Sequence, residues 1–375
     1  MLLKFFAILS VATPAFEYED YQNSNEIPPV STSGPKFGFP FRPPSLINEA
    51  STKLTKVYWN TPTFQCDYHK LNFSGLAEKY KIIMNKDDRF HGNAINILYD
   101  PGNFPAVLKN GTRTVLRNGG VPQEGNLTDH LIIFEKLVQQ LIPDESFSGI
   151  GIIDFESWRP VFRQNFGALS EYKVLSFDIE KRRHPIWTNA WLQKEAKKRF
   201  EAAAKQFMEE TLLVAKLTRP YATWGYYAYP YCFNMSPSNR RGPCPKEAVV
   251  ENDSLEWLFN LEDNLYPSLY LSNKDSIKDK VKMVEGRIEE TKRIVKHLEK
   301  HKNIMPYFWY KYHDAKDFLS KEDIFSIFTV LSSYYLDGLV IWGSSNDVNT
   351  KGKCIELYHY INEILGPSLL EIFKL

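Results

Sequence analysis

The chain has 375 residues, enough for one large domain or two ordinary ones and too many for a peptide hormone or disulfide miniprotein. Its 43% hydrophobic and 24% charged content lies in the globular range and excludes global disorder. Forty-six basic against 45 acidic residues leave a formal charge of +1, which argues against a polybasic nucleic-acid binder. Aromatic residues are abundant (25 Phe, 21 Tyr and 8 Trp), a supply that suits sugar rings as well as cores.

In chain order, an early Lys4 followed by a short apolar run to Ala12, with small residues around Ala12 and Ala15, reads as a signal peptide over 1–16. Residues 17–50 are polar and broken by six prolines from Pro28 to Pro44, the pattern of a flexible leader. From residue 51 to 375 the pattern becomes regular. Short β-rich runs recur at 57–60, 95–99, 150–155, 222–227, 268–271, 305–310 and 339–342. Helical stretches separate most of them, clearest at 189–217 and in the charged amphipathic segment 278–301; a last helix is expected over 361–375. Seven strands alternating with helices predict an α/β fold, a distorted TIM-like (β/α) barrel in a single domain. A doubly wound open sheet is the alternative, but no G-x-G-x-x-G or P-loop recommends it. No stretch is long and apolar enough to span a bilayer, so no membrane insertion is expected.

The four cysteines, Cys66, Cys232, Cys244 and Cys354, include no C-x-x-C pair, so no metal site is expected and two disulfides are. Cys232 and Cys244 bracket a turn-rich stretch and can close locally, which leaves Cys66 with Cys354. Sequons at Asn72, Asn110, Asn126, Asn234 and Asn252 fit a secreted, extracellular glycoprotein.

The most informative stretch runs from Gly149 to Pro160, where an apolar strand ends in Asp154-Phe155-Glu156. Positions i and i+2 of a strand point the same way, so both acids share a face at the carboxyl end, where a barrel projects its catalytic groups. Two carboxylates this close cannot both ionise freely, and one becomes a proton donor near neutral pH. Ordinary glycosidases place two carboxyls on opposite sides of the scissile bond. Neighbours on one strand cannot bracket a sugar, so a glycosidase built this way needs its nucleophile from the substrate, the 2-acetamido oxygen of an N-acetylhexosamine. Glu156 then protonates the leaving oxygen and Asp154 orients the acetamido group. A structural acid pair held by Arg159 or Arg163 is the plainer alternative on spacing alone.

The segment Gly151-Ile152-Ile153-Asp154-Phe155-Glu156-Ser157-Trp158-Arg159-Pro160 resembles the active-site segment of the hyaluronidase glycoside hydrolases, the insect venom type in particular. The likeness continues in Val57-Tyr58-Trp59-Asn60, Ile97-Leu98-Tyr99-Asp100-Pro101-Gly102, Trp224-Gly225-Tyr226-Tyr227, Trp309-Tyr310-Lys311-Tyr312 and Ile341-Trp342-Gly343-Ser344-Ser345, and includes all four cysteines. The resemblance implies retaining, substrate-assisted endo-hydrolysis of the β-1,4 bond after N-acetylglucosamine in hyaluronan or a related glycosaminoglycan; a monomer without a cofactor is expected. It implies Glu156 as proton donor, Asp154 as acetamido-positioning partner and Tyr227 as a holder of the N-acetyl group. Tyr99, Tyr270 and Trp342 match groove aromatics, Ser344 a sugar-contacting position, and the disulfides Cys66–Cys354 and Cys232–Cys244 follow as well. Asn346 departs from the acid that bee-type enzymes carry there.

Arg159 has two readings, a substrate contact to uronic carboxylates or a brace for the acid pair. His297 and His301, four apart, read as a solvated helix face, and Lys181-Arg182-Arg183 as solvated surface. Two other functions stand beside hydrolysis of hyaluronan. A chitinase-like enzyme would carry a further Asp where Ile152 stands, and a catalytically inactive glycan-binding paralogue would have lost Glu156.

Overall fold

Parallel strands covered on both faces need continuous apolar runs, and the chain supplies them where strands are expected. The computed structural model describes Leu54 and residues 56–375, apart from Thr112, Pro237 and Ser238. The signal peptide and leader expected over 1–16 and 17–50 lie outside the described residues.

The chain runs through β1 (Val57–Asn60), α1 (Phe73–Lys79), β2 (Ile82–Ile83) and β3 (Ile95–Tyr99), then a hairpin of β4 (Ala106–Asn110) and β5 (Arg113–Arg117). It continues with α2 (Leu127–Leu141), β6 (Ile150–Asp154), α3 (Ser170–Arg183), α4 (Asn189–Thr218), β7 (Thr223–Tyr226), α5 (Lys246–Asp253) and α6 (Glu256–Leu261). Then come β8 (Asn264–Leu265), α7 (Ile277–His297), β9 (Asn303–Ile304), β10 (Tyr307–Trp309), α8 (Lys321–Ser332), β11 (Leu339–Trp342), α9 (Lys351–Tyr360) and α10 (Gly366–Phe373).

Parallel ladders join β10-β11-β1-β2, β3-β6-β7 and β8-β9, while the β4–β5 hairpin stands apart. Single bridges, Tyr227 to Tyr266 and Ser268 to Tyr307, carry the parallel order from β7 past β8 to β10. No ladder joins β2 to β3. There the Asn85 side chain takes a strand's place, its Oδ1 accepting from the Ile95 N–H at 3.0 Å and its Nδ2 donating to the Ile95 carbonyl at 2.8 Å. The hydrogen-bonded sheets therefore do not close into one ring, and the barrel is a distorted one.

Inward-facing residues of alternate register fill its interior: Tyr58, Ile95, Ile97, Ile150, Ile152, Tyr266, Tyr307 and Val340 form one buried cluster. Two larger apolar layers pack between strands and helices. Gly151, on β6, is required by close approach, since a Cβ there would stand 2.4 Å from the Trp224 ring. The two disulfides are Cys66–Cys354, between chain segments 288 residues apart, and Cys232–Cys244.

Several expected boundaries move, for identifiable reasons. The strand expected at 268–271 is reduced to a single bridge at Ser268, and the ladder lies upstream at β8; Pro267, between the two, has no N–H to join them. Pro306 likewise divides the run at 305–310, leaving β9 before it and β10 after it. The helix expected over 278–301 ends at His297. The chain leaves it at Leu298 and brings the Lys302 ammonium to the carbonyls of Asn260 and Glu262, at 2.7 and 2.6 Å. His301 is therefore off the helix and 3.6 Å from Asp337. The last helix begins earlier than expected, at Lys351, and passes through a π-turn over Ile361–Leu365 just before Pro367, which cannot donate in an α pattern. No helix among the described residues is long and apolar enough to cross a membrane.

Candidate active site

The inward face of β6 reads Ile150, Ile152, Asp154, so the side-chain alternation that buries two isoleucines in the barrel delivers Asp154 to its carboxyl end. Glu156 follows two residues on. Tyr99 lies opposite Asp154 in the β3–β6 register, and the Asp100 N–H continues that ladder to the Asp154 carbonyl at 2.7 Å. On the other side the Tyr227 N–H bonds the Ile153 carbonyl at 3.0 Å. The residues that follow these two tyrosines, Asp100 and Ala228, adopt positive φ of 41° and 71°. Left-handed backbone is costly for non-glycine residues and collects at functional sites. Here it turns the chain away just past each tyrosine.

The two carboxyl groups are hydrogen-bonded to each other. Burial pushes the Asp154 carboxyl well above the usual carboxylate range, and the facing charges of Glu156 and Asp100 push the same way. Burial also raises Glu156, while the Arg159 charge and the Asp154 hydrogen bond pull it down. Glu156 is open to solvent on one side, yet protein surrounds it on the others. That is the position of a group on a cleft floor, and it tempers the shift without reversing it. The pair titrates as one unit and holds a proton to higher pH than either acid would alone.

Aromatic side chains form an arc beside the acids. Tyr227 and Tyr270 have ring centroids 6.2 Å apart, Tyr270 stacks on Trp342 at 5.6 Å, and Trp309 meets Trp342 edge-on at 5.1 Å. The Trp342 indole N–H donates to the Tyr99 hydroxyl at 2.8 Å, and Tyr99 stacks with Phe90 at 6.1 Å. The Tyr227 hydroxyl donates to Ser268 Oγ at 3.3 Å. Burial raises the Tyr227 and Tyr99 hydroxyls above their ordinary value, so both stay protonated donors. Residues from five separate strand ends thus converge on one groove.

Arg159 makes no ion pair with either acid. Its guanidinium donates to the Gln164 carbonyl at 2.7 Å and lies over the Tyr231 ring at 4.6 Å, with Phe166 and Phe233 each 5.4 Å away. Its charge reaches Glu156 through space. Arg163 is instead paired with Glu251, away from the acids, which rules it out as their brace.

Ser344 is half-buried at the groove's edge, where its hydroxyl accepts from the Asn346 N–H at 3.2 Å as a helix cap. The capping partner, Asp347, went unrecognised in the sequence. Its Oδ2 accepts from Trp309 Nε1 at 3.0 Å, the Tyr310 hydroxyl at 3.1 Å and the Ser344 N–H at 3.0 Å, and its Oδ1 faces Lys311 Nζ at 3.2 Å. The Ser-x-x-Asp spacing of a capping box was the available signal.

The sequons divide. Asn72 and Asn126 are exposed helix caps, and Asn110 closes β4. Asn234 and Asn252 are buried. The Asn234 amide nitrogen donates to the Gly242 and Met283 carbonyls, and that of Asn252 to the Tyr231 carbonyl and Glu290. The folded chain leaves no outlet for a glycan at either. Two cavities of about 410 and 770 Å³ open beside Lys302 and Ile304 and beside Arg219 and Tyr221. Both lie where the chain enters strands, away from the carboxyl ends. We take the open groove, where the acids and aromatics meet, as the site.

An acid pair pushed upward by burial, set in a groove of aromatic faces and hydroxyl donors, is the equipment of a glycoside hydrolase. Residues 44–374 match the family described as hyaluronidase. The chain is 47% identical to a hyaluronidase of Apis mellifera over 328 residues, 87% of this chain and 86% of that one. It is 44% identical to a hyaluronidase of Dolichovespula maculata, over 87% and 98% of the two. The solved structure of bee venom hyaluronidase in complex with a hyaluronic acid tetramer superposes with a TM-score of 0.83, covering 84% of this chain and 99% of the other at 47% identity. The chain belongs to the hyaluronidase family of glycoside hydrolases.

Proposed function

We propose that the protein is a secreted enzyme that hydrolyses the β-1,4 bond between N-acetylglucosamine and glucuronate in hyaluronan, with retention and with the 2-acetamido oxygen as nucleophile. The observation that carries this reading is the Asp154–Glu156 pair, two hydrogen-bonded carboxyls on one flank of the groove, while the other acid at its edge, Asp347, is taken up by Trp309, Tyr310, the Ser344 N–H and Lys311.

In the free enzyme one proton lies between the two acids. An acetamido N–H arriving at Asp154 needs an acceptor, so its binding leaves the proton on Glu156, which is open to the groove. Glu156 then protonates the glycosidic oxygen as the acetamido carbonyl oxygen attacks the anomeric carbon from the opposite face. Water opens the resulting ring with the Glu156 carboxylate as base, and the proton returns. Tyr227, a protonated hydroxyl beside both acids, is placed to steady the acetamido group. Tyr270, Trp342 and Tyr99 offer faces and hydroxyls to neighbouring sugars, and Ser344 a hydroxyl at the rim. Ile152, where a chitinase-like acid ladder would continue, is fully buried in the barrel. The disulfides support an oxidising, extracellular setting.

The test is incubation of the protein with purified hyaluronan and with chondroitin, followed by NMR of the fresh product ends. The reading requires N-acetylglucosamine at the new reducing end, first as the β-anomer. An α-anomer at first appearance, or no cleavage of either polymer, overturns it.

A further inference from the structure

The α3–α4 hairpin carries the most exposed cluster of large apolar side chains away from the groove. Its connection, residues 184–188, and the first turn of α4 are solvent-facing almost throughout. Ile186 is 91% exposed, Trp191 58% and Trp187 39%. Exposed apolar groups at such density on a convex tip cost solvation energy unless something covers them.

The tip is also braced by contacts of its own. The Trp187 ring stacks on the His184 ring at 3.8 Å, nearly parallel, and the Trp187 N–H bonds the His184 carbonyl at 3.1 Å. Thr188 caps α4, accepting from the Trp191 N–H at 3.5 Å. Around this apex stand Lys181, Arg182, Arg183 and Lys194, all exposed. Arg183 is paired with Glu124 at 2.8 Å, whereas Lys181, Arg182 and Lys194 have no acid within ion-pair reach among the described residues. The Lys194 ammonium lies 5.3 Å from the Trp191 ring. The nearby acids are engaged elsewhere or few: Glu180 with Arg199 and Glu195 with Lys198, leaving Asp178 exposed on α3.

We propose that this tip is a peripheral docking site for a negatively charged phospholipid surface. An aliphatic apex, two indoles beside it and a collar of Lys and Arg match the layers of a bilayer interface. The aliphatic group enters the acyl boundary, indoles settle among the headgroups, and cations meet lipid phosphates and carboxylates. A convex tip suits a soft planar surface better than the concave pocket into which a protein partner's anchor would fit. Sugar binding accounts for the indoles and the cations, but gives Ile186 nothing to enter. Contact through three apolar side chains is shallow and reversible, and it requires no spanning segment.

The experiment is flotation of the whole protein with vesicles of phosphatidylcholine, with and without phosphatidylserine, read also by indole emission. Binding is expected to the phosphatidylserine vesicles, with a blue shift, and to weaken with added salt. Ile186→Asp is expected to reduce it about tenfold or more, because a charge is costly at that depth, and Trp191→Ala to reduce it less. Turnover of a soluble oligosaccharide should be unchanged in both variants, which keeps this proposal separable from the assignment of the catalytic site. Failure of the wild type to bind charged vesicles overturns the proposal, as does binding that Ile186→Asp leaves intact. Retention on immobilised hyaluronan that both variants lose, with no vesicle binding, overturns it in favour of a polymer contact.

Discussion

Two acidic centres border the same groove, and they are built oppositely. Asp347 is buried, 6% exposed, and every neighbour favours a charge: three N–H or O–H donors on one oxygen and the Lys311 ammonium on the other. Asp154 and Glu156 face each other instead, with the nearest cation, Arg159, held in an aromatic cage beyond ion-pair reach. The first arrangement engages both carboxyl oxygens, so it ties Trp309 and Ser344 in place. The second keeps a proton, so it can give one away. Burial alone does not make an acid catalytic; what decides is whether the surroundings compensate the charge or deny it.

The largest effect should come from removing the transferable proton. Glu156→Gln keeps the shape and is expected to lower kcat by about 10³-fold or more, with oligosaccharide binding and thermal unfolding close to wild type. A kcat within tenfold of wild type would show that the proton comes from elsewhere. Asp154→Asn removes the acceptor proposed for the acetamido N–H, and a loss of about 10²-fold is expected. A smaller loss than tenfold, measured by the same reducing-end assay, would leave Asp154 with a merely structural part. In the wild type, activity should hold above the usual carboxylate range, because both acids are pushed upward, and decline as pH rises through the raised value and the pair loses its shared proton.

The carboxylate pair was legible in the sequence because strand periodicity alone puts residues 154 and 156 on one face, and the apolar run before them marks the strand. The wall of aromatics was legible only as residues near strand ends. That Tyr270 stacks on Trp342, or that Trp342 bonds Tyr99 across 243 residues of chain, depends on how strands are ordered in space. Pro306 hid a strand break because the run at 305–310 reads as one strand until the missing N–H is counted, and β8, upstream of Pro267, gave only two residues to read. Asp347 was hidden for a different reason. Its donors come from three consecutive residues at the end of β10 and from the Ser344 backbone, and no local pattern announces such a meeting. Sequons Asn234 and Asn252 fit the sequence rule, yet their amides serve the fold, a use that the tripeptide cannot report.

A milder change should follow at the compensated centre. Asp347→Asn keeps the volume but loses the charge facing Lys311 and weakens the hold on Trp309. The expected result is a rise in KM of about tenfold, of the size that loss of a charged hydrogen-bond acceptor gives, with little change in kcat and none in the pH at which activity declines. A shift of the pH profile would mean that the two acidic centres are electrically one, and the contrast between them would fail.

The smallest effect, and the sharpest for the comparison, concerns Arg159. Its charge stabilises ionised Glu156 from a distance, so Arg159→Met should let the Glu156 carboxyl rise further. The sign follows directly: a donor with a higher pKa stays protonated to higher pH, so the decline in activity should move to higher pH. The rate at the acid side should change by less than tenfold. The substrate-contact reading predicts something else, a raised KM with an unmoved profile, because a lost partner for a uronic carboxylate weakens binding and leaves the proton alone. Measuring kcat and KM separately across pH distinguishes the two, and a profile unmoved in both parameters would leave the caged guanidinium with a packing role only.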